Sequence, residues 1–86
     1  MHEIINEKVS VVAIHNVDRK ALMPFKIQWR GRIYYIKKLG YHHTVRDGKV
    51  LNHIFSVTDG NMAFRLKFNT DNLSWTLEEV SDGYSA

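Results

Sequence analysis

Apolar and polar residues alternate one by one along most of the chain after Pro24. The alternation is regular in 25–30, 62–68 and 73–78, and a period of two is typical of a β-strand with one buried face. Gly, Asn and Asp, which tolerate a positive φ, interrupt it at hairpin spacing. These interruptions lie at 30–32, 46–49, 59–61 and 70–72. The pattern predicts antiparallel strands joined by tight turns.

Side-chain parity across the turns predicts which residues share a face. A two-residue turn pairs odd positions on one strand with even positions on the next. Turns at 31–32, 47–48, 60–61 and 71–72 all agree on one apolar face. The predicted core face contains Phe25, Ile27, Trp29, Tyr34, Ile36, Leu51, Phe55, Val57, Met62, Phe64, Leu66, Phe68, Trp75 and Leu77.

The two ends of the chain follow other patterns. Residues 4–14 predict a further strand, which is apolar on both faces and therefore covered on both. Residues 18–23 predict one helical turn that Pro24 ends. After an ordered core of 4–82, the last four residues predict a frayed tail.

A sheet that is this apolar on one side needs cover, and no long helix supplies it. The sheet must curl onto itself or be covered by the first strand. In the long strand that starts at Arg32, Gly40 marks a bend at which the strand changes its pairing partner. We predict one all-β domain over 1–86, a small five- to six-stranded antiparallel meander curled into a barrel or roll, SH3-like or similar.

Composition narrows the range of functions. The chain has 86 residues and no cysteine, which favours a reducing, cytoplasmic compartment. No segment approaches the ~20 apolar residues of a membrane helix, so we expect no membrane association. There is no phosphate-binding glycine loop and no nucleophile elbow, and the adjacent Glu78 and Glu79 are expected to point to opposite faces. We therefore expect a protein without catalytic activity, cofactor or bound metal.

The net charge of +3 is unevenly distributed. Residues 19–67 contain eleven of the twelve basic side chains and two of the nine acidic ones, a net charge of +9. On the face opposite the predicted core, tyrosines alternate with cations, as in proteins that stack bases on aromatic rings and hold phosphates with cations. Two arginines at a hairpin tip would add a phosphate clamp. The predicted residues for binding single-stranded nucleic acid or another polyanion are Lys26, Arg30, Arg32, Tyr35, Lys37, Tyr41, His43, Arg65 and Lys67.

Two other interpretations of this patch remain open. Ile33, Tyr35 and Ile54 would also suit a surface covered by the first strand, a homodimer contact or a protein partner. Residues 68–86 carry four acidic side chains and no basic one, so this end would neutralise basic strands beside it.

His42 and His53 form the one candidate metal pair. A turn at 47–48 places them opposite one another, close enough to share a metal ion or a proton. A zinc site needs three or four ligands, and no third ligand has a defined place beside them. We expect a packed or hydrogen-bonded histidine pair.

Three segments resemble a family of short, uncharacterised bacterial domains. They are 24–34 (PFKIQWRGRIY), 53–57 (HIFSV) and 75–80 (WTLEEV). The family shares a Phe-x-Trp-x-Gly-Arg-x-Tyr opening and a late Trp-x-Leu strand; in this chain Ile27 lies between Phe25 and Trp29, so the aromatic spacing is looser. The resemblance implies a β fold without an established activity. Because some members are associated with translesion polymerases, it also implies a nucleic-acid setting.

Overall fold

The computed structural model describes residues 2–18 and 21–82, and these form one antiparallel sheet of seven strands without a helix. The strands are β1 (His2–Asn16), β2 (Ala21–Trp29), β3 (Arg32–Tyr35), β4 (Lys38–Asp47), β5 (Val50–Thr58), β6 (Met62–Asn69) and β7 (Ser74–Asp82). Their order in the sheet is β3-β2-β1-β7-β6-β5-β4. The all-β antiparallel prediction is confirmed, but the predicted count of five or six strands is wrong.

The sheet is not closed, so the predicted barrel is also wrong. Its two edge strands, β3 and β4, follow one another in the chain through Ile36 and Lys37. The amide of Ile36 donates to the carbonyl of Phe25 at 2.9 Å, and the amide of Lys37 donates to the carbonyl of Thr58 at 2.8 Å. This link, residues 36–37, connects the two edges covalently without pairing β3 to β4.

The long strand does change its partner, although not at Gly40. Its first part pairs with β2 and its second part with β5, and the interruption lies at the link. Gly40 instead accompanies a register shift between Leu39 and Tyr41. A side chain there would place its Cβ 3.3 Å from the carbonyl oxygen of Ser56, which explains why a glycine is suited to this irregularity.

The hairpins preserve the predicted faces even where the turns are displaced. Phe55 pairs with Leu66 and Phe68 with Trp75, as predicted. The first turn lies at Arg30–Gly31, where both residues have positive φ, and the next at 48–49. When a turn moves by one residue, each residue pairs with a partner two positions away from the predicted one. Side chains two positions apart lie on the same face of a strand, so every side chain keeps its face.

The core lies between β2 and the strands β5, β6 and β7. Its buried members are Ile27, Trp29, Phe55, Val57, Phe64, Leu66, Trp75, Leu77 and Val80. All but Val80 were predicted. Val80 turns inward because Arg65 pairs with Glu79 and Leu66 with Leu77. This shift leaves Glu78 as an extra residue and reverses the alternation beyond it.

Phe25 is a correction to the predicted core, since its side chain is 45% exposed. Val12 pairs with Lys26 and Ala13 with Pro24, which makes Phe25 the extra residue of a β-bulge. A bulge leaves one residue unpaired and re-aims its side chain. Phe25 therefore lies on the surface.

The first strand does not cover a sheet face. It pairs with β7 through its first half and with β2 through its second, and Val12 and Ile14 are 48% and 52% exposed. The prediction that this segment is covered on both faces is wrong. The predicted helical turn at 18–23 is also wrong at Ala21–Met23, which belong to β2; residues 19–20 and the predicted tail at 83–86 lie outside the described residues.

Candidate nucleic-acid interface

Four of the nine predicted site residues share the outer face of β4, β5 and β6. Tyr41 pairs with Ser56, which pairs with Arg65; His43 pairs with Ile54, which pairs with Lys67. These are two neighbouring cross-strand rows. The Tyr41 ring is exposed and packs against His43, with ring centroids 5.1 Å apart.

The two cations of this face share one carboxylate of β7. Nε of Arg65 donates to Oε1 of Glu78 at 3.1 Å, and Nζ of Lys67 lies 3.9 Å from Oε2 of the same carboxylate. Glu79 pairs across the strands with Arg65, so the bulge places both glutamates on the outer side. The prediction that they point to opposite faces is wrong. The acidic end thus compensates part of the positive charge of this surface, since one carboxylate pairs with two cations.

Lys26 and Tyr35 belong to a second group, on β2 and β3. The two residues pair across the strands, and Nζ of Lys26 lies 5.9 Å from the centroid of the Tyr35 ring. Tyr35 is 54% exposed. Phe25 packs edge-on against Tyr35 at 6.3 Å, a contact that the sequence analysis missed because it assigned Phe25 to the core.

A groove of about 290 Å³ continues from Phe25 to the link. Apolar side chains of Met23, Phe25, Ile36 and Leu39 line it together with Lys37 and Lys38, and no acidic residue does. Tyr35 and Lys26 do not line this groove but adjoin it through the contact of Tyr35 with Phe25. We call the groove together with this adjoining pair the aromatic–lysine groove; its two rings are Phe25 and Tyr35, and its lysines are Lys26, Lys37 and Lys38. Lys38 was not among the predicted site residues.

The lysines of the aromatic–lysine groove and the two cations of the outer face differ in whether a carboxylate forms an ion pair with them. Within residues 2–18 and 21–82, no carboxylate forms an ion pair with Lys26, Lys37 or Lys38. A cation without a nearby carboxylate keeps its full attraction for a polyanion. Three lysines without an ion pair in this part of the chain therefore lie near the two exposed rings, although Arg32, Arg46 and Lys49 also form no ion pair within the described residues.

Arg30 and Arg32 at the first hairpin tip have different surroundings. Arg30 donates two hydrogen bonds to the carboxylate of Glu7 and lies 4.7 Å from the Trp29 ring centroid. Nε1 of Trp29 donates to the same carboxylate at 2.9 Å. The hydrogen bonds from Arg30 and then Trp29 hold the pKa of Glu7 below its usual value. Both arginines are exposed, but Arg30 is held by the carboxylate of Glu7 within the protein.

The histidine pair forms, although its strand register differs from the predicted one. His42 pairs with Phe55 and His53 with Thr44, but Nε2 of His42 lies 2.9 Å from Nδ1 of His53. The His42 ring also stacks on Phe55 at 4.5 Å. Burial, followed by the charges of His53 and His43, lowers the pKa of His42. Among the described residues, no group of three His, Asp or Glu side chains could hold a metal ion.

No protein-family model, curated protein or solved structure matches this chain. The resemblance to short bacterial domains is not tested by these comparisons and stays a prediction. Within residues 2–18 and 21–82, no helix is long and apolar enough to span a membrane.

Proposed function

We propose that this protein is a non-enzymatic module that binds single-stranded nucleic acid through the aromatic–lysine groove. One observation carries the proposal: two half-exposed rings lie beside three lysines that no described carboxylate neutralises. Bases would stack on Phe25 and Tyr35, and phosphates would contact the lysines. The interface predicted from the sequence comprises nine residues. The structure favours a smaller region of the surface, centred on the link.

The charge of the groove sets the expected salt dependence. Each phosphate neutralised on a single strand contributes about 0.7 to the slope of log affinity against log salt concentration. Three lysines therefore predict a slope near −2, or about a 20-fold loss of affinity between 50 and 200 mM salt. Because stacking tolerates every base, we expect little sequence preference in the groove.

Charge-reversal variants test the lysines. Fluorescently labelled single-stranded RNA and DNA would be titrated against the wild type, Lys37→Glu and Lys38→Glu. We expect each change to weaken binding about 10- to 150-fold, since a hydrogen bond to a charged group contributes about 1.5–3 kcal/mol. Lys49→Glu is the matched control, because it makes the same charge change in the turn at the opposite end of β4. Equal losses in all three variants would contradict a local site.

Ring-removing variants test the stacking. Alanine at a stacked aromatic position costs about 1–3 kcal/mol per base, a loss of about 5- to 150-fold in affinity. We expect this range for Tyr35→Ala, while Tyr35→Phe retains the ring and should retain the affinity. No binding at 50 mM salt, or binding that Tyr35→Ala leaves unchanged, would remove the proposal.

A protein-interaction or self-associating module is the second candidate. It is favoured by the exposed Val12, Ile14 and Ile33 on β1 and β3, and by the edge strands β3 and β4, which each pair with one strand of this sheet. Apolar patches and open edges commonly bind another chain. Sedimentation across a wide concentration range would show a dimer if the partner is a second copy. A monomer at every concentration would contradict self-association.

A further inference from the structure

A second cavity, of about 260 Å³, opens on the outer face beside the register shift of β4. Its lining consists of Lys38, Gly40, Ser56, Val57, Thr58 and Ala63, and we call it the Gly40 pocket. Lys38 also lines the aromatic–lysine groove, so the two cavities meet at this lysine. The Gly40 pocket therefore continues the groove over the edge of β4 onto the outer face.

Small residues keep the Gly40 pocket open. Gly40 contributes only backbone, and Ala63 on β6 contributes one methyl group. Ser56 adds a hydroxyl that is accessible and forms no hydrogen bond within residues 2–18 and 21–82. Ligand pockets are mostly apolar, with a few polar groups that fix the orientation of the ligand. The free hydroxyl beside backbone and methyl surface fits this description.

The lining of the Gly40 pocket contains a cation and no carboxylate. Lys38 is exposed and forms no ion pair with any residue of 2–18 or 21–82. Asp59 follows Thr58 in the chain, but its carboxylate accepts the amides of Asn61 and Met62 at 2.9 and 2.8 Å within its own turn. A phosphate at Lys38 would thus lie between the groove and the pocket.

Tyr41 lies next to the Gly40 pocket without lining it. It pairs across the strands with Ser56, which places the two Cβ atoms about 4.5–5.5 Å apart. Its ring is exposed, and an exposed ring can stack a base. Tyr41 was predicted as an interface residue, and the pocket connects it to the groove that contains Tyr35.

We propose that a single strand bound in the aromatic–lysine groove continues into the Gly40 pocket. One base lies over Gly40 and Ala63, where the Ser56 hydroxyl donates a hydrogen bond to it. The next base stacks on Tyr41, and the phosphate between groove and pocket contacts Lys38. The inference rests on the proposed function and adds two base positions to it.

A variant that fills the Gly40 pocket tests the inference. Ala63→Val adds two methyl groups there, and we expect it to weaken the binding of labelled octauridylate at least fivefold, the lower limit for losing one stacked base. Because a β-branched residue suits a strand, the melting temperature of Ala63→Val should be equal to or higher than that of the wild type. Thr76→Ile, which adds apolar bulk to the outer face of β7, is the matched control and should retain the affinity.

Tyr41 and the length of the strand provide two further measurements. Tyr41→Ala should also weaken binding at least fivefold, while Tyr41→Phe keeps the ring and should keep the affinity. With two bases in the groove and two beyond Lys38, wild-type affinity should rise with strand length up to about four nucleotides, whereas Ala63→Val should stop gaining at about two.

The possible results separate this inference from the proposed function. If Tyr35→Ala weakens binding while Ala63→Val and Tyr41→Ala do not, the strand stays in the groove, and the inference is overturned while the proposed function stands. If the wild type does not bind octauridylate at low salt, both are overturned. If a second copy of the chain fills the pocket, Ala63→Val changes the sedimentation of the free protein and leaves RNA affinity unaltered, which also contradicts the inference.

Discussion

Replacing Phe25 by alanine should cost much less stability than replacing a core phenylalanine. Full burial of a phenylalanine contributes up to about 3 kcal/mol, and Phe25 is 45% exposed. The buried half of the residue and the edge-on contact to Tyr35, which adds about 0.5–1.5 kcal/mol, together predict that Phe25→Ala costs at most about 2–3 kcal/mol. Phe64 is fully buried, so Phe64→Ala should cost about 3–5 kcal/mol. Urea unfolding of both variants measures the difference.

The same variant links the fold to the proposed function. If the bulge at Phe25 presents the ring to a base, Phe25→Ala should also weaken single-stranded RNA binding about fivefold or more. Phe25→Tyr keeps a ring at the surface and should preserve both stability and affinity. A loss of stability in Phe25→Ala as large as that in Phe64→Ala would refute the reasoning, because it would place Phe25 in the core.

Three further predictions concern the turn, the ion cluster and the histidine pair. Gly31→Ala should cost about 1–2 kcal/mol in urea unfolding, since the residue has φ of 77°; an unchanged midpoint would contradict the turn. Arg30→Ala should raise the pKa of Glu7, followed by NMR, towards its usual 4.5; an unchanged pKa would contradict the ion pair. Because folding lowers the pKa of His42 below its usual 6.5, the unfolded chain takes up the proton first, so stability should fall as pH decreases below about 6.5. His42→Gln should flatten that dependence, and an equally steep profile would exclude His42 as its cause.

Side-chain parity predicted most of the core correctly. A turn that lies one residue away from its predicted position changes the cross-strand partners but not the face on which each side chain lies. Trp29 and Tyr34 were paired two positions away from their true partners, and both still face inward. The failures lie at bulges, where one extra residue reverses the alternation. No local pattern distinguishes Phe25 from a core residue, since it continues the alternation of Ile27 and Trp29.

The candidate site was less predictable because charge balance depends on long-range pairing. Arg65 and Lys67 are thirteen or fewer residues from Glu78 in sequence, yet only the β6–β7 register shows that one carboxylate serves both. Arg30 meets Glu7 across 23 residues.

NMR mapping with a single-stranded RNA tests the proposed interface most directly. Oligo(U) would be added to isotope-labelled protein at low salt. Shifted amide signals should concentrate in 23–26 and 35–39, which surround the aromatic–lysine groove. An unchanged spectrum, or shifts confined to strands remote from the link, would contradict the account.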